Sequence, residues 1–130
     1  MKNVNILEFN NNYKTLVDIF NKARNSAVGF YNKEYSVEEF KKIITGEEIF
    51  LASINEITIG FISVWAQENF IHHLYIRPEY QNIGVGSRLI EKCISLYSYP
   101  LTLKCLVANK KGCMFYTNKG WKTTSQAIGP

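Results

Sequence analysis

Two glycines in a short turn are the feature of this sequence that most directly suggests chemistry. Residues 74–87 run LYIRPEYQNIGVGS, a strand pattern followed by a turn and the start of a helix pattern. Gly84 and Gly86 allow successive backbone N–H groups to converge, and the following helix adds its unpaired N–H groups and the positive end of its dipole. This arrangement predicts an anion site suited to a pyrophosphate. Taken alone, the two glycines fit equally well a turn that only starts a helix.

Two common phosphate-binding loops do not fit these residues. A dinucleotide-binding fingerprint requires Gly or Ala three residues after Gly86, where the chain has Leu89. A Walker loop requires Gly-Lys followed by Ser or Thr, whereas Gly86 is followed by Ser87 and Arg88. Both classes of nucleotide-binding protein are therefore excluded.

The turn resembles the cofactor loop of the GNAT superfamily of acetyl-CoA-dependent N-acetyltransferases. That family carries Q/R-x-x-G-x-G/A directly after a strand, and residues 81–86 are QNIGVG, with an approach at 74–80 that is also similar. Asn109, Phe115-Tyr116 and Gly120-Trp121 are similar to the family's N-x-x-x-x-x-F-Y-x-x-x-G-F motif. Two motifs in register extend the resemblance over nearly the whole chain, which implies a single acetyltransferase domain over residues 1–130.

The resemblance implies where coenzyme A would bind. Backbone amides of the loop would hold the pyrophosphate, and main-chain groups of Leu74 and Ile76 would pair with the pantetheine arm. Asn109 would meet that arm from the other side, where the fourth and fifth strands of the family splay apart. The implied cofactor-binding residues are Leu74, Ile76, Gln81, Asn82, Ile83, Gly84, Val85, Gly86, Ser87 and Asn109. Acetyl-CoA is the expected cosubstrate, and no metal ion is expected.

Acetylation of an amine requires a donor for the developing oxyanion and a proton for the departing sulfur. By the resemblance, Tyr116 would be the general acid and the backbone N–H of Ile76 the oxyanion donor. On its own, the position of Tyr116 is better explained by a half-buried aromatic residue on an amphipathic helix. Its catalytic role therefore depends on the second motif.

The general base is a choice between the chain's two histidines, His72 and His73, and water. Because side chains alternate along a strand, we expect the two rings on opposite faces, with His72 on the face of Phe70, Leu74 and Ile76. His72 is preferred, since some arylalkylamine-acetylating members of the family carry histidine there. His73 and proton removal by water are the alternatives.

The amine acceptor would lie against the first two helices and the joint between the third and fourth strands, as in the family. Residues 29–35, between those helices, are rich in aromatic side chains. The candidate acceptor residues are Phe30, Tyr31, Glu34 and Trp65, with Glu34 attracting a cation. Packing of these rings against the core is an equally good explanation. The expected acceptor is a small-molecule or peptide amine.

Hydrophobic periodicity supplies the elements that would position these residues. Strands are predicted over residues 3–9, 49–54, 57–65, 70–76, 101–107 and 121–125. Helices are predicted over about 13–27, 36–46 and 111–118, and from beyond residue 78 to about 97. Short joints force antiparallel hairpins between the second, third and fourth strands, and the following helix suggests a parallel crossover. The predicted fold class is α+β, a mixed, mostly antiparallel central sheet of six or seven strands flanked by about four helices.

The composition of the chain limits the classes of protein to which it can belong. The chain has 130 residues, 46% hydrophobic, enough for one domain without disulfide or metal staples. No apolar run approaches the roughly 18–20 residues of a membrane span, and the first residues lack a signal-peptide core, so we expect a cytoplasmic protein with no membrane partner. Cys93, Cys105 and Cys113 show no metal-binding spacing. The net charge of +4 favours an anionic partner, but lysines interleaved with acidic residues make nucleic-acid binding the minority interpretation.

The sequence departs from the family pattern at its C-terminus. The family continues from the position of Trp121 through a further hairpin to a seventh strand, whereas this sequence ends at Pro130. The expectations are an exposed sheet edge, an edge covered by a partner, or truncation relative to its relatives, in a monomer or homodimer.

The leading interpretation is an N-acetyltransferase, and the alternative is a catalytically silent acyl-CoA-binding sensor or regulatory domain.

Overall fold

The computed structural model describes residues 3–26, 33–97, 101–104 and 110–122. Its strands are β1 (Asn5–Glu8), β2 (Glu48–Ile54), β3 (Ile57–Trp65), β4 (Phe70–Ile76) and β5 (Thr102–Leu103). Its helices are α1 (Tyr13–Ser26), α2 (Val37–Ile43), α3 (Val85–Leu96) and α4 (Lys110–Asn118). Single 3-10 turns lie at Ala66–Glu68 and Pro78–Tyr80.

The five strands form one sheet in chain order. Neighbouring strands are antiparallel except for β4 and β5, which are parallel and joined through α3. The α+β class, the two hairpins, the parallel crossover and the four helices are therefore confirmed. The predicted count of six or seven strands is not matched, because the described residues form five. Of the predicted strand 121–125, the first two residues are not in a strand and the rest lie outside the described residues.

Apolar side chains pack on both faces of the sheet. α1 and α2 cover one face, where Phe20, Phe40 and Phe61 are almost fully buried. α3 covers the other face with a cluster that includes Leu89 and Cys93. Burial of each such large side chain contributes about 1.5–3 kcal/mol, so the two clusters hold the helices to the sheet. None of the helices in the described part of the chain combines the length and apolarity needed to cross a membrane.

Local sequence signals set the ends of two helices. Ser36 caps α2, accepting a hydrogen bond from the Glu39 N–H at 3.1 Å, while the Glu39 side chain accepts one from the Ser36 N–H at 3.0 Å. Gly84 begins α3 with φ +91°, a conformation that glycine adopts without strain. The glycine predicted to shape the turn is therefore the residue that starts the crossover helix.

Arg77 ties the end of β4 to α1. Its Nε donates to the backbone oxygen of Thr58 at 3.0 Å, and its guanidinium donates to Oδ2 of Asp18 at 2.7 Å. The hydrogen bond from Arg77 holds the pKa of Asp18 below its usual value, with a further contribution from Lys22. The ion pair therefore fixes the point where the chain leaves the sheet for the glycine turn.

Candidate functional site

A β-bulge in β4 sets the positions of both histidines. Ser63 of β3 lies opposite His73, but the next residue, Val64, lies opposite Ile71. His72 is therefore an extra residue of β4 with no partner on β3. A bulge of this kind bends the strand and redirects a side chain, which is common near active sites.

The bulge corrects the prediction that His72 and His73 lie on opposite faces. Their rings stack with centroids 3.9 Å apart, and the His73 ring lies 5.6 Å from that of Phe20 in α1. Leu74 and Ile76 instead pack in the cluster under α3. The expected grouping of His72 with Leu74 and Ile76 is wrong because side-chain alternation holds only where a strand is regular.

Glu47, which the sequence did not single out, holds His72 in place. Oε2 of Glu47 lies 2.6 Å from Nδ1 of His72; the Glu47 side chain is 3% exposed and that of His72 40%. Gly46, just before it, has φ +82°, and a Cβ there would lie 2.9 Å from the Trp65 ring. Only glycine fits under that ring in this conformation, so the turn at Gly46 directs Glu47 inward.

Three buried polar atoms beside this hydrogen bond have no partner among the described residues: Oε1 of Glu47, Nε2 of His73 and Oγ of Ser63. Burial lowers the pKa of His73 to about 3, with smaller contributions from His72 and Arg24, so its ring is neutral near pH 7. Unpartnered buried polar atoms are costly. Their concentration here indicates a place that receives a ligand, an ion or water.

The β5 side of β4 carries backbone groups that lie beyond its described pairing with β5. The N–H of Arg77 donates to the Ile59 oxygen of β3 at 2.8 Å, and N–H directions alternate along a strand, so the N–H groups of Leu74 and Ile76 face β5. The described pairing with β5 covers only Phe70 and Ile71. Beyond that point, the β4 edge can pair with an extended ligand.

The glycine turn follows directly from this edge. Nε2 of Gln81 donates to the Ile76 oxygen at 3.1 Å, which holds the turn against the end of β4. Asn82, Ile83 and Gly84 are exposed, and Asn82 has φ +66°. A Cβ at Gly84 would meet nothing within 4 Å, so the outer side of the turn is open. This turn fits a phosphate group, because its backbone is accessible and no side chain among the described residues caps the first turn of α3.

The inner side of the turn is closely packed. Val85 is buried, whereas Ser87 is partly exposed. A Cβ at Gly86 would lie 3.2 Å from Cζ of Phe115 in α4 and 3.8 Å from Leu74. Gly86 therefore allows α3, α4 and β4 to approach one another, which is a packing role beside the predicted phosphate role.

Tyr116 is half-buried on α4. Its ring lies 5.2 Å from that of Phe115 and 6.0 Å from that of Trp121, and it packs on the same cluster as Leu74 and Ile76. The structure thus places the predicted acid beside the face of β4 that carries the predicted cofactor residues. The side chains of His72 and Glu47 lie on the α1 face of the sheet.

The predicted acceptor residues are only partly described. Phe30, Tyr31 and the cofactor residue Asn109 lie outside the described residues. Glu34 is exposed and accepts a hydrogen bond from Nδ2 of Asn25 at 3.2 Å. Trp65 covers Gly46, next to the Glu47 and His72 pair. The structure therefore places Trp65 against Gly46, the residue before Glu47, whereas the described contact of Glu34 is with Asn25 of α1.

Comparison with known proteins identifies a family. A profile described as acetyltransferase (GNAT) domain matches residues 21–128. A search of curated proteins found no match. An aminoglycoside N-acetyltransferase, AAC(6')-Iy in complex with CoA, superposes with a TM-score of 0.77 at 12% identity, covering 100% of this chain and 95% of its own.

Two further solved structures have the same fold. A PaiA N-acetyltransferase from Thermoplasma acidophilum, in complex with coenzyme A, gives a TM-score of 0.77 at 19% identity over 96% of this chain and 93% of its own. An aminoglycoside acetyltransferase from an uncultured soil metagenomic sample, in complex with trehalose, gives 0.70 at 15% identity over 97% and 93%. At these identities the similarity establishes the fold.

Proposed function

Because the chain belongs to the GNAT acetyltransferase domain family, we propose that it is an N-acetyltransferase that moves an acetyl group from acetyl-CoA to a primary amine by direct attack. The observation that carries the proposal is the continuous backbone surface from the edge of β4, beyond its described pairing with β5, to the open glycine turn. An extended chain ending in a pyrophosphate matches this surface in shape and in hydrogen-bonding groups. Acetyl-CoA has that form.

Different residues are proposed to bind the pyrophosphate and the pantetheine arm of acetyl-CoA. The N–H groups from Gln81 to Ser87 would hold the pyrophosphate, and main-chain groups of Leu74 and Ile76 would pair with the pantetheine arm. Asn109 is proposed to meet that arm from the other side. The thioester supplies an activated acetyl carbonyl, and the N–H of Ile76, which faces the β5 edge, is the proposed donor to its oxygen in the transition state.

His72 is the proposed general base. An Nδ1–H donated to Glu47 leaves Nε2 as the acceptor for the proton of the attacking amine. Glu47 orients the ring, as a carboxylate does in other base-and-orienter pairs. His73 is less suited, because burial keeps its pKa near 3 and it therefore binds a proton poorly.

Tyr116 is the proposed general acid. A phenol keeps its proton near pH 7 and can give it to a departing thiolate, provided that it lies within hydrogen-bond reach. The packing of Tyr116 on the cluster that holds Leu74 and Ile76 supports this role. Tyr116 would then assist departure of the thiolate from the α4 side of β4. His72 would assist attack by the amine from the α1 side.

The proposed acceptor is a small-molecule amine or a peptide amine. Two proteins of the same fold are aminoglycoside acetyltransferases, which supports a small-molecule amine. Phe30, Tyr31, Glu34 and Trp65 remain the proposed acceptor residues, and Trp65 has the best structural support because its ring lies against Gly46, the residue before Glu47.

The experiment compares two Tyr→Phe variants with a panel of amines and acetyl-CoA. Tyr116→Phe is expected to lower kcat by about 10²–10⁴-fold while calorimetric affinity for acetyl-CoA is retained. Tyr13→Phe is the matched control, because Tyr13 packs on Phe9 in the cluster on the α1 face of the sheet, opposite the face on which Tyr116 packs, and its rate should be unchanged. Equal rates in all three proteins would reject Tyr116 as the acid. Cofactor binding without turnover would favour the sensor alternative.

A further inference from the structure

We propose that Glu47, His72 and His73 form a binding site for one divalent transition-metal ion, with Zn²⁺ the best-matched. One nitrogen of each histidine and one oxygen of Glu47 all lie within 4.8 Å of one another. The spacing of residues in the sequence gives no sign of this site. Glu47 reaches the histidines only through the turn at Gly46, and the bulge alone puts both rings on one side.

The donor set matches the chemistry of zinc. Two imidazoles and one carboxylate are the protein ligands of one class of catalytic zinc sites, with further positions left for water or another ligand. Imidazole nitrogen suits Zn²⁺ and its neighbours in the first transition row, whereas Mg²⁺ and Ca²⁺ require oxygen donors. The site should therefore discriminate against both of these hard cations.

Burial supplies the second argument. The Glu47 side chain is 3% exposed, yet its Oε1 has no partner among the described residues, and neither has Nε2 of His73. A buried carboxylate beside a neutral imidazole gives negative charge and free lone pairs without competing water. A divalent cation satisfies both groups, whereas an anion would be repelled by Glu47.

Small movements complete the coordination. Around a tetrahedral zinc ion with bonds of about 2.0–2.2 Å, donor atoms lie roughly 3.3–3.6 Å apart. Donor atoms that are now up to 4.8 Å apart must therefore close by about 1 Å, whereas Oε2 of Glu47 and Nδ1 of His72, now 2.6 Å apart, must separate by about the same distance. The stacked histidine rings, now at an interplanar angle of 27°, must turn so that their lone pairs converge. His72, at 40% exposure, has room to turn.

One positive charge opposes the ion. Arg24 contributes to the low pKa of His73, and its guanidinium lies 5.0 Å from the centre of the Phe20 ring that contacts His73. Its charge weakens cation binding by Coulomb repulsion. Arg24→Gln is therefore expected to tighten zinc binding. If the site bound an anion instead, the same substitution would weaken binding.

The test measures zinc binding to untagged, chelator-treated protein by competition with a chromophoric chelator, and Co²⁺ binding by its visible absorption. We expect one ion per chain, at least about tenfold weaker binding in Glu47→Gln and His72→Gln, and unchanged binding in the matched control Glu68→Gln. Because His72 is exposed, His72→Gln is expected to fold normally even if Glu47→Gln does not. Circular dichroism checks the folding of every variant. Alkylation of the cysteines should leave the affinity unchanged.

Three results would overturn the proposal. The first is the absence of stoichiometric zinc binding in the wild-type protein. The second is equal affinity in wild type, Glu47→Gln and His72→Gln. The third is zinc binding that disappears on cysteine alkylation, which would assign the ion to the thiols. None of these measurements depends on acetyl transfer, so the metal site and the proposed function can fail separately.

Discussion

Nδ1 of His72 lies 2.6 Å from Oε2 of Glu47, although 25 positions separate the two residues in the sequence. The contact exists because the bulge in β4 removes His72 from the pairing with β3, and because Gly46, which lies against Trp65, turns the chain just before Glu47. It fixes the ring of the residue that follows Ile71, the last residue of β4 in the described pairing with β5. The proposed base is thereby positioned where the edge of β4 continues beyond that pairing.

Replacement of Glu47 by Gln should slow acetyl transfer. An amide cannot stabilise the imidazolium that forms when His72 takes a proton, so kcat should fall about 10–100-fold, while KM for acetyl-CoA stays unchanged. Steady-state rates at saturating acetyl-CoA measure the effect. Glu68→Gln, on the exposed turn after β3, is the matched control. A wild-type kcat in Glu47→Gln would remove Glu47 from the positioning role.

Zinc should inhibit acetyl transfer reversibly. An ion on Nδ1 of His72 leaves the ring proton on Nε2, which then cannot accept a proton from the amine. Initial rates should fall as the proposed site fills, in step with direct zinc titration, and recover when a chelator is added. Full activity with the site shown to be filled would contradict the role of His72 as base and leave the metal site intact.

Replacement of Gly84 by Ala should weaken coenzyme A binding. Gly84 has φ +91° and Gly120 has φ +90°, and a Cβ at either would meet nothing within 4 Å. Both Ala variants should therefore lose about 1–2 kcal/mol of stability through backbone strain. Only Gly84→Ala should also weaken calorimetric binding of coenzyme A, since only Gly84 lies in the proposed phosphate turn. Equal losses of affinity would mean that the turn has no special part in binding.

The sequence was sufficient for most of the fold and for the position of the glycine turn. Apolar segments separated by short joints located β2, β3 and β4, and the capping box at Ser36 located α2. The two family motifs identified the turn and α4. The bulge was not predictable, because the insertion of His72 is defined by its register against β3 and not by its own strand. Glu47 was missed for a related reason, since a single glutamate before an apolar strand has no motif until its tertiary partner is known.

The ion pair between Asp18 and Arg77 should give a pH-dependent contribution to stability. The pKa of Asp18 is lowered in the folded protein, chiefly by the hydrogen bond from Arg77, so the contribution is present above the unfolded pKa of about 3.8 and is lost as pH falls through the folded value. Because the Asp18 side chain is 44% exposed, the contribution should be no more than about 1 kcal/mol.

Denaturant unfolding of Asp18→Asn checks this prediction. The variant should be less stable than wild type near pH 7, and the difference should shrink below about pH 3.8. Glu79→Gln, also exposed, serves as the control for loss of a surface carboxylate and should change little. A destabilisation that is constant across this pH range would show that the ion pair is not its cause.

Acetyl transfer itself is tested most directly with acetyl-CoA that carries an isotopic label in the acetyl group. Mass spectrometry then follows the label onto each of a panel of amines: polyamines, aminoglycosides, arylalkylamines, amino acids and peptides. The account predicts a labelled N-acetyl product that requires the protein and is sharply reduced by Tyr116→Phe. Tight binding of acetyl-CoA with no labelled product above the uncatalysed rate, for any amine, would contradict it.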